Sequence, residues 1–351
     1  MINLSQKQQK IILIFLKNNI LSSSAVHAEM AKSGEGLSLV TVKRLLSALV
    51  DLDVLKISGS GRATAYHLSV LGRILADVNA KEYCSVEPDK RYGLKQYNFD
   101  LLPEFPGDIF SEAEQKILES ATAEYSRLTE NASAAIQKKE LERLIIELSW
   151  KSSKIEGNTY TLLDTEKLIL ENKAAAGKTR IETQMILNHK DAFNFVRDNR
   201  GRFKTINRRN MEELHAILVK NLNVGQGLRN KPVGVVGSSY RPLDNVHQIN
   251  EAIEILEKKS SQMPSPYVKA LLVLLSLAYI QPFEDGNKRT ARLMANAILL
   301  ASNLAPLSYR SIDENDYREA MLVFYELNVI APFKKIFISQ YDFAARNYLV
   351  K

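Results

Sequence analysis

The chain has 351 residues, 45% hydrophobic and 25% charged, with a formal net charge of +7. This composition excludes a fibrous or disordered chain and provides for two or three domains with a sizeable core. The single cysteine, Cys84, excludes an intramolecular disulfide and fits a reducing compartment. The apolar runs Ile11–Leu16 and Ala270–Ile280 are too short for a cleavable signal or for the ~20 residues of a membrane helix. The expectation is therefore a soluble, cytoplasmic protein with no membrane partner.

Residues 1–75 carry nine Lys and Arg against four Asp and Glu, most of the excess positive charge. Ser5 is placed to cap a helix over 6–18, with Ile11, Ile12, Phe15 and Leu16 on its apolar face. Ser22–Ser24 precede a short second helix through Val26 and Met30. After a Gly-containing turn, a third runs from about Ser38 to Leu52, with Val42, Leu45, Leu46, Leu49 and Val50 inward. Two short β-prone runs, Val54–Ile57 and Arg62–Leu68, flank Ser58-Gly59-Ser60-Gly61 and read as a hairpin. Three helices and a hairpin resemble a winged helix-turn-helix. That resemblance implies double-stranded DNA as a partner, with Thr41, Lys43 and Arg44 at the start of a recognition helix and Arg62 near a wing tip. The same arrangement also serves protein contacts, and a homodimer stays open.

Residues 76–137 read as a connector, irregular over 92–108 and helical over 111–127. From about 138 to 157 the spacing of Leu141, Leu144, Ile145 and Leu148 predicts a helix, which Gly157 stops. Ser152 and Glu156, four apart, share one face of it. Helices are predicted over 182–198 and 207–222, where His189 and His215 read as packed or surface residues. No histidine spacing suits zinc. The segment 227–242 is rich in Gly and β-formers, contains Pro232 and Pro242, and reads as a short β-hairpin. After residue 301 the pattern is that of supporting helices, with amphipathic spacing over 313–327.

Between Ala270–Ile280 and Leu293–Leu300 lies Gln281-Pro282-Phe283-Glu284-Asp285-Gly286-Asn287-Lys288-Arg289-Thr290-Ala291-Arg292. The layout predicts helix, tight loop, helix, with Gly286 at the bend and Asn287 as N-cap. A helix N-terminus attracts anions, and Arg289 and Arg292, three apart, fit a polyphosphate above it. Asp285 is placed to hold a hard cation such as Mg²⁺. The stretch also fits a buried hairpin with solvated arginines.

It resembles the Fic (Fido) motif HxFx[D/E]GN[G/K]RxxR, matching at Phe283, Asp285, Gly286, Asn287, Arg289 and Arg292. The resemblance implies a mainly α-helical Fic-type core with a β-hairpin flap, spanning 138–351. It also implies that ATP–Mg²⁺ binds at Asp285, Gly286, Asn287, Lys288, Arg289 and Arg292. AMP would then pass to a hydroxyl side chain of a target protein. Gln281 departs from it, because the family has there the histidine that serves as general base. Gln is neutral, and losing a positioned base costs roughly 10²–10⁴ in rate. Lys288 stands where adenylylating members usually have Gly, which leaves open the phosphate transferred. Ser152, Glu156 and Gly157 resemble the family's inhibitory motif [S/T]xxxE[G/N], whose Glu pairs with the second arginine, here Arg292. The segment 229–242, with Val235, Val236, Gly237 and Tyr240, resembles the flap that docks a target segment. Two functions remain open: an autoinhibited adenylyltransferase attenuated at Gln281, and a nucleotide-sensing, DNA-binding regulator without efficient transfer.

Overall fold

The computed structural model describes residue 2 and residues 4–349. The chain divides into two compact units. One comprises Met1–Pro106, Val235–Arg241 and Glu319–Lys334; the other comprises Gly107–Gly234, Pro242–Arg318 and Lys335–Lys351.

In the first unit, α1 (Gln6–Lys17), α2 (Ser23–Lys32) and α3 (Leu39–Asp51) start at Ser5, Ser22 and Ser38. Each serine side chain accepts a bond from an otherwise unpaired N–H of the first turn. Antiparallel strands β1 (Leu55–Ser58) and β2 (Ala65–Leu68) follow, pairing Leu55 with Leu68 and Ser58 with Ala65. Short helices α4 (Val70–Ile74) and α5 (Ala80–Cys84) come next. Ile11, Phe15, Val26, Met30, Val42, Leu46 and Leu49 form one core with Val323, Leu327 and Val329 from later in the chain.

In the second unit, α6 (Glu112–Asn131) begins at a Ser111–Glu114 capping box. Helix α7 (Ala134–Ile155) starts before residue 138 because Ser133 caps it. After it come α8 (Leu162–Glu171), α9 (Arg180–Asp198), α10 (Arg208–Leu218) and α11 (Val246–Ser261). At the centre lie α12 (Pro266–Ile280) and α13 (Asn287–Ala301), packed as a hairpin. Every residue from Ala270 to Ile280 is buried, the expected fate of a helix that is apolar all round. Last come α14 (Glu314–Leu327) and α15 (Ala331–Asn347), each passing from one unit into the other along the chain.

Among the described residues the architecture is mainly α with one small β-hairpin, β1–β2. The hairpin expected over 227–242 does not form; the segment has no strand and only one isolated bridge, Gln96 with Arg241. Pro232 and Pro242 supply no N–H, and the Ser238 N–H turns back to the Val235 carbonyl at 3.2 Å. The Arg241 N–H goes to the Lys95 carbonyl at 2.9 Å, and neither bond is the paired cross-strand pattern that a hairpin ladder needs.

Candidate functional site

The site lies in the second unit, where α12 ends, the loop 281–286 turns and α13 begins. Gln281 ends α12 in the left-handed region at φ +53°, and its Nε2 donates to the Ala278 carbonyl at 2.7 Å. Its amide is thus used to close the helix beneath it. Arg229, 4% exposed, donates from Nε to the Gln281 carbonyl at 2.6 Å and from its other nitrogens to the Lys231 and Leu243 carbonyls. The Arg229 N–H also reaches the Pro282 carbonyl at 3.0 Å.

Asn287 is the first residue of α13, and Gly286 is the cap, which corrects the expected N-cap. The Asn287 side chain instead closes the loop: Oδ1 accepts from the Phe283 N–H and Nδ2 donates to the Phe283 carbonyl, both at 2.8 Å. Gly286 turns at φ +80°, and a Cβ there would meet Val219 at 3.2 Å, so both conformation and space favour glycine. His215 on α10 stacks on Phe283 with ring centroids 3.8 Å apart and planes at 9°. Its Nε2 bonds the Asp285 carbonyl at 2.9 Å, donating if the proton sits there. Burial lowers the His215 pKa, against the opposing effect of that backbone bond. Glu284 accepts from the Gly225 N–H at 2.9 Å.

Arg289, Arg292 and Lys288 extend from the first two turns of α13. Asp285, largely exposed, reaches Arg289 Nη2 at 3.4 Å and accepts the Gly286 N–H at 2.6 Å. Arg289 is 3% exposed, and its Nη1 has no hydrogen-bond partner among the described residues. Burial lowers the Arg289 pKa, while Asp285 and Glu156 act to raise it.

Arg292 is fully buried. It donates from Nε to Ser152 Oγ and from Nη2 to the Ser152 carbonyl, both at 2.8 Å. Its Nη1 reaches Glu156 Oε1 at 2.9 Å and the Tyr317 hydroxyl at 3.4 Å. Glu156 Oε2 lies 3.4 Å from Lys288 Nζ. Burial raises the Glu156 pKa, but Arg292 and Lys288 outweigh it, and the net direction is downward.

The end of α7 explains how Glu156 is held. Gly157, at φ +96°, ends the helix, with its N–H on the Lys154 carbonyl (2.9 Å) and the Asn158 N–H on the Ser153 carbonyl (3.1 Å). This paired pattern is a Schellman motif. Arg318 donates to the Ile155 carbonyl at 2.7 and 3.1 Å, a cation on the negative end of the helix.

Gln281, Phe283, Asp285, Gly286, Asn287, Lys288, Arg289, Arg292, Ser152, Glu156 and Gly157 therefore all belong to the second unit. Val235, Val236, Gly237 and Tyr240 belong to the first, as do Thr41, Lys43, Arg44 and Arg62. Sequence reasoning missed Arg229, Tyr317 and Arg318, whose partners are distant in the chain. His215, expected as a packed or surface residue, is buried; its helical spacing with Met211, Leu214 and Leu218 is the one sequence signal for that, and nothing in it points to the Phe283 ring.

Residues 184–299 match the family model described as Fic/DOC family. That stretch of the chain is similar to Fic/DOC-family domains. "Protein adenylyltransferase Fic" of Nematostella vectensis is 31% identical over 174 residues, 48% of this chain and 41% of that protein. "Protein adenylyltransferase fic-1" of Caenorhabditis elegans is 25% identical over 158 residues, 44% and 31% of the two chains. The chain thus spans less than half the length of these relatives. Among solved structures, Fic-1 of C. elegans (aa134–508) aligns with TM-score 0.59 and 19% identity, covering 68% of this chain and 72% of that one. A Fic domain containing signaling protein of Bacteroides thetaiotaomicron aligns at 0.57 and 18%, covering 65% and 94%. These two likenesses show the Fic fold. Among the described residues no helix is long and apolar enough to cross a membrane. Nor, among them, do three or more His, Cys, Asp or Glu side chains converge as a metal site.

Proposed function

We propose that the Fic domain binds ATP–Mg²⁺ at the N-terminus of α13, that Glu156 holds it inhibited, and that Gln281 attenuates adenylyl transfer to a protein hydroxyl. The observation that carries this reading is the Glu156–Arg292 ion pair, in which an acid occupies a cation suited to a phosphate. The residues fit the nucleotide. Arg289 has an unpartnered buried nitrogen for an anionic oxygen, and Asp285 offers one carboxylate to a Mg²⁺ whose other ligands are phosphate and water. In transfer, the target oxygen would bond the α-phosphorus as pyrophosphate leaves. The hydroxyl proton needs an acceptor, which the Gln281 amide, donating to Ala278, does not supply. The segment 229–242 would dock the target chain, with Val236 at its exposed tip.

The test is transfer from α-phosphate-labelled ATP with Mg²⁺ by Glu156→Gly and by Glu156→Gly with Gln281→His. Label only on the His-containing protein supports the reading. Equal label on both sinks the claim of attenuation, and silence from both sinks adenylyl transfer.

A second reading, a DNA-binding regulator, rests on the first unit. Its three helices and hairpin would suit a winged helix, and α3 leaves Lys43 and Arg44 exposed, as the turn before β2 does Arg62. Val40, 78% exposed on the same helix, favours a protein surface instead. Duplex binding by the full chain that weakens with salt, and with Lys43→Ala plus Arg44→Ala, supports DNA; salt-independent or absent binding removes it.

A further inference from the structure

Three cations, Lys288, Arg289 and Arg292, crowd the first turns of α13, where the helix dipole already disfavours positive charge. Two of them have other means of support. Arg292 keeps both Ser152 bonds and the Tyr317 hydroxyl without any carboxylate, and Arg289 faces Asp285. Lys288 differs: among the described residues its one ion-pair partner is Glu156. Glu156 in turn spreads its two oxygens over two cations, Oε1 on Arg292 and Oε2 on Lys288. A carboxylate held by one oxygen can swing about its last torsion, and one held by both cannot.

We infer that Lys288 is a second clamp on Glu156, so that in the resting protein it opposes nucleotide entry. This rests on the proposed inhibition of the same site. It separates Lys288 from Arg289 and Arg292: a phosphate ligand aids binding in every background, whereas a clamp opposes binding only while Glu156 is present. Glu156 is 18% exposed and Lys288 32%, so the pair is partly screened and its effect modest.

Two measurements on the full chain decide it, using Lys288→Met with Lys288→Arg as the charge-keeping control. Amide hydrogen exchange of residues 152–158 should rise about three-fold in Lys288→Met and stay near wild type in Lys288→Arg. By calorimetry, Lys288→Met should tighten ATP–Mg²⁺ binding by about three-fold when Glu156 is present, and should not tighten it in Glu156→Gly. Unchanged exchange, or weaker ATP binding in both backgrounds, overturns the clamp. If Glu156→Gly binds no ATP, the nucleotide reading fails, and the exchange experiment still decides whether Lys288 holds Glu156.

Discussion

Replacing Glu156 by Gln removes one charge and keeps the side-chain shape. It leaves Arg292, fully buried, without its carboxylate. Removing one partner of a buried ion pair costs about 3–5 kcal/mol. Two features reduce that here: Glu156 is 18% exposed, and the Gln oxygen can still accept from Nη1 while Ser152 and Tyr317 hold the rest of the guanidinium. The expected loss is therefore about 2 kcal/mol, roughly a factor of 30 in the unfolding equilibrium of the second unit. Trp150, the chain's one tryptophan, reports it, because it sits on α7 and donates to the Tyr160 carbonyl at 3.0 Å. Urea unfolding followed by its fluorescence at pH 7 should show the loss. The pH dependence follows from the lowered Glu156 pKa. Its stabilisation is fully present above the unfolded value of 4.5 and is lost as pH falls through the lower folded value. Wild type and Glu156→Gln should thus converge in acid. Equal stability of the two proteins at pH 7 would refute the argument.

In the first unit, Arg91 and Glu326 form an ion pair with side chains 4% and 2% exposed. Glu326 also accepts from Tyr83 and Ser238, and Arg91 donates to the Gly237 carbonyl. Glu326→Gln should cost about 3 kcal/mol and raise hydrogen exchange over 235–241; protection unchanged there would exclude this anchoring. His215→Ala removes a ring packed on Phe283 and the bond to the Asp285 carbonyl, so about 3 kcal/mol should be lost by thermal unfolding, and His215→Phe should recover part. His189 is fully buried, and among the described residues neither ring nitrogen has a hydrogen-bond partner; burial, then Arg292 and Arg289, hold its pKa well below the ordinary value. A base whose pKa is lowered by folding stabilises above its unfolded value of 6.5 and loses that contribution as pH falls below it. Unfolding between pH 7.5 and 5.5 should therefore show falling stability, with a shallower slope in His189→Phe; an identical slope would exclude His189 as a source.

Local chemistry carried a large part of this protein in its sequence. Ser5, Ser22 and Ser38 set helix starts because each cap bonds an N–H three residues on, and Gly157 ended α7 because glycine accepts the left-handed turn. The spacing of Phe283, Asp285, Gly286, Asn287, Arg289 and Arg292 within one loop and helix was legible for the same reason. Gly- and Val-rich sequence over 227–242 suggested a hairpin, but a strand needs donors and acceptors in register with a neighbour, and the Arg229 and Arg241 N–H groups go instead to Pro282 and Lys95. Asn287 passed for a cap by its position, yet the folded loop used both ends of its amide on Phe283. Only the tertiary structure placed Arg229 under Gln281, His215 on Phe283 and Lys288 on Glu156, contacts between residues 52 to 132 positions apart. Charge and ring character give a side chain its capacity to pair, but packing decides which partner it meets.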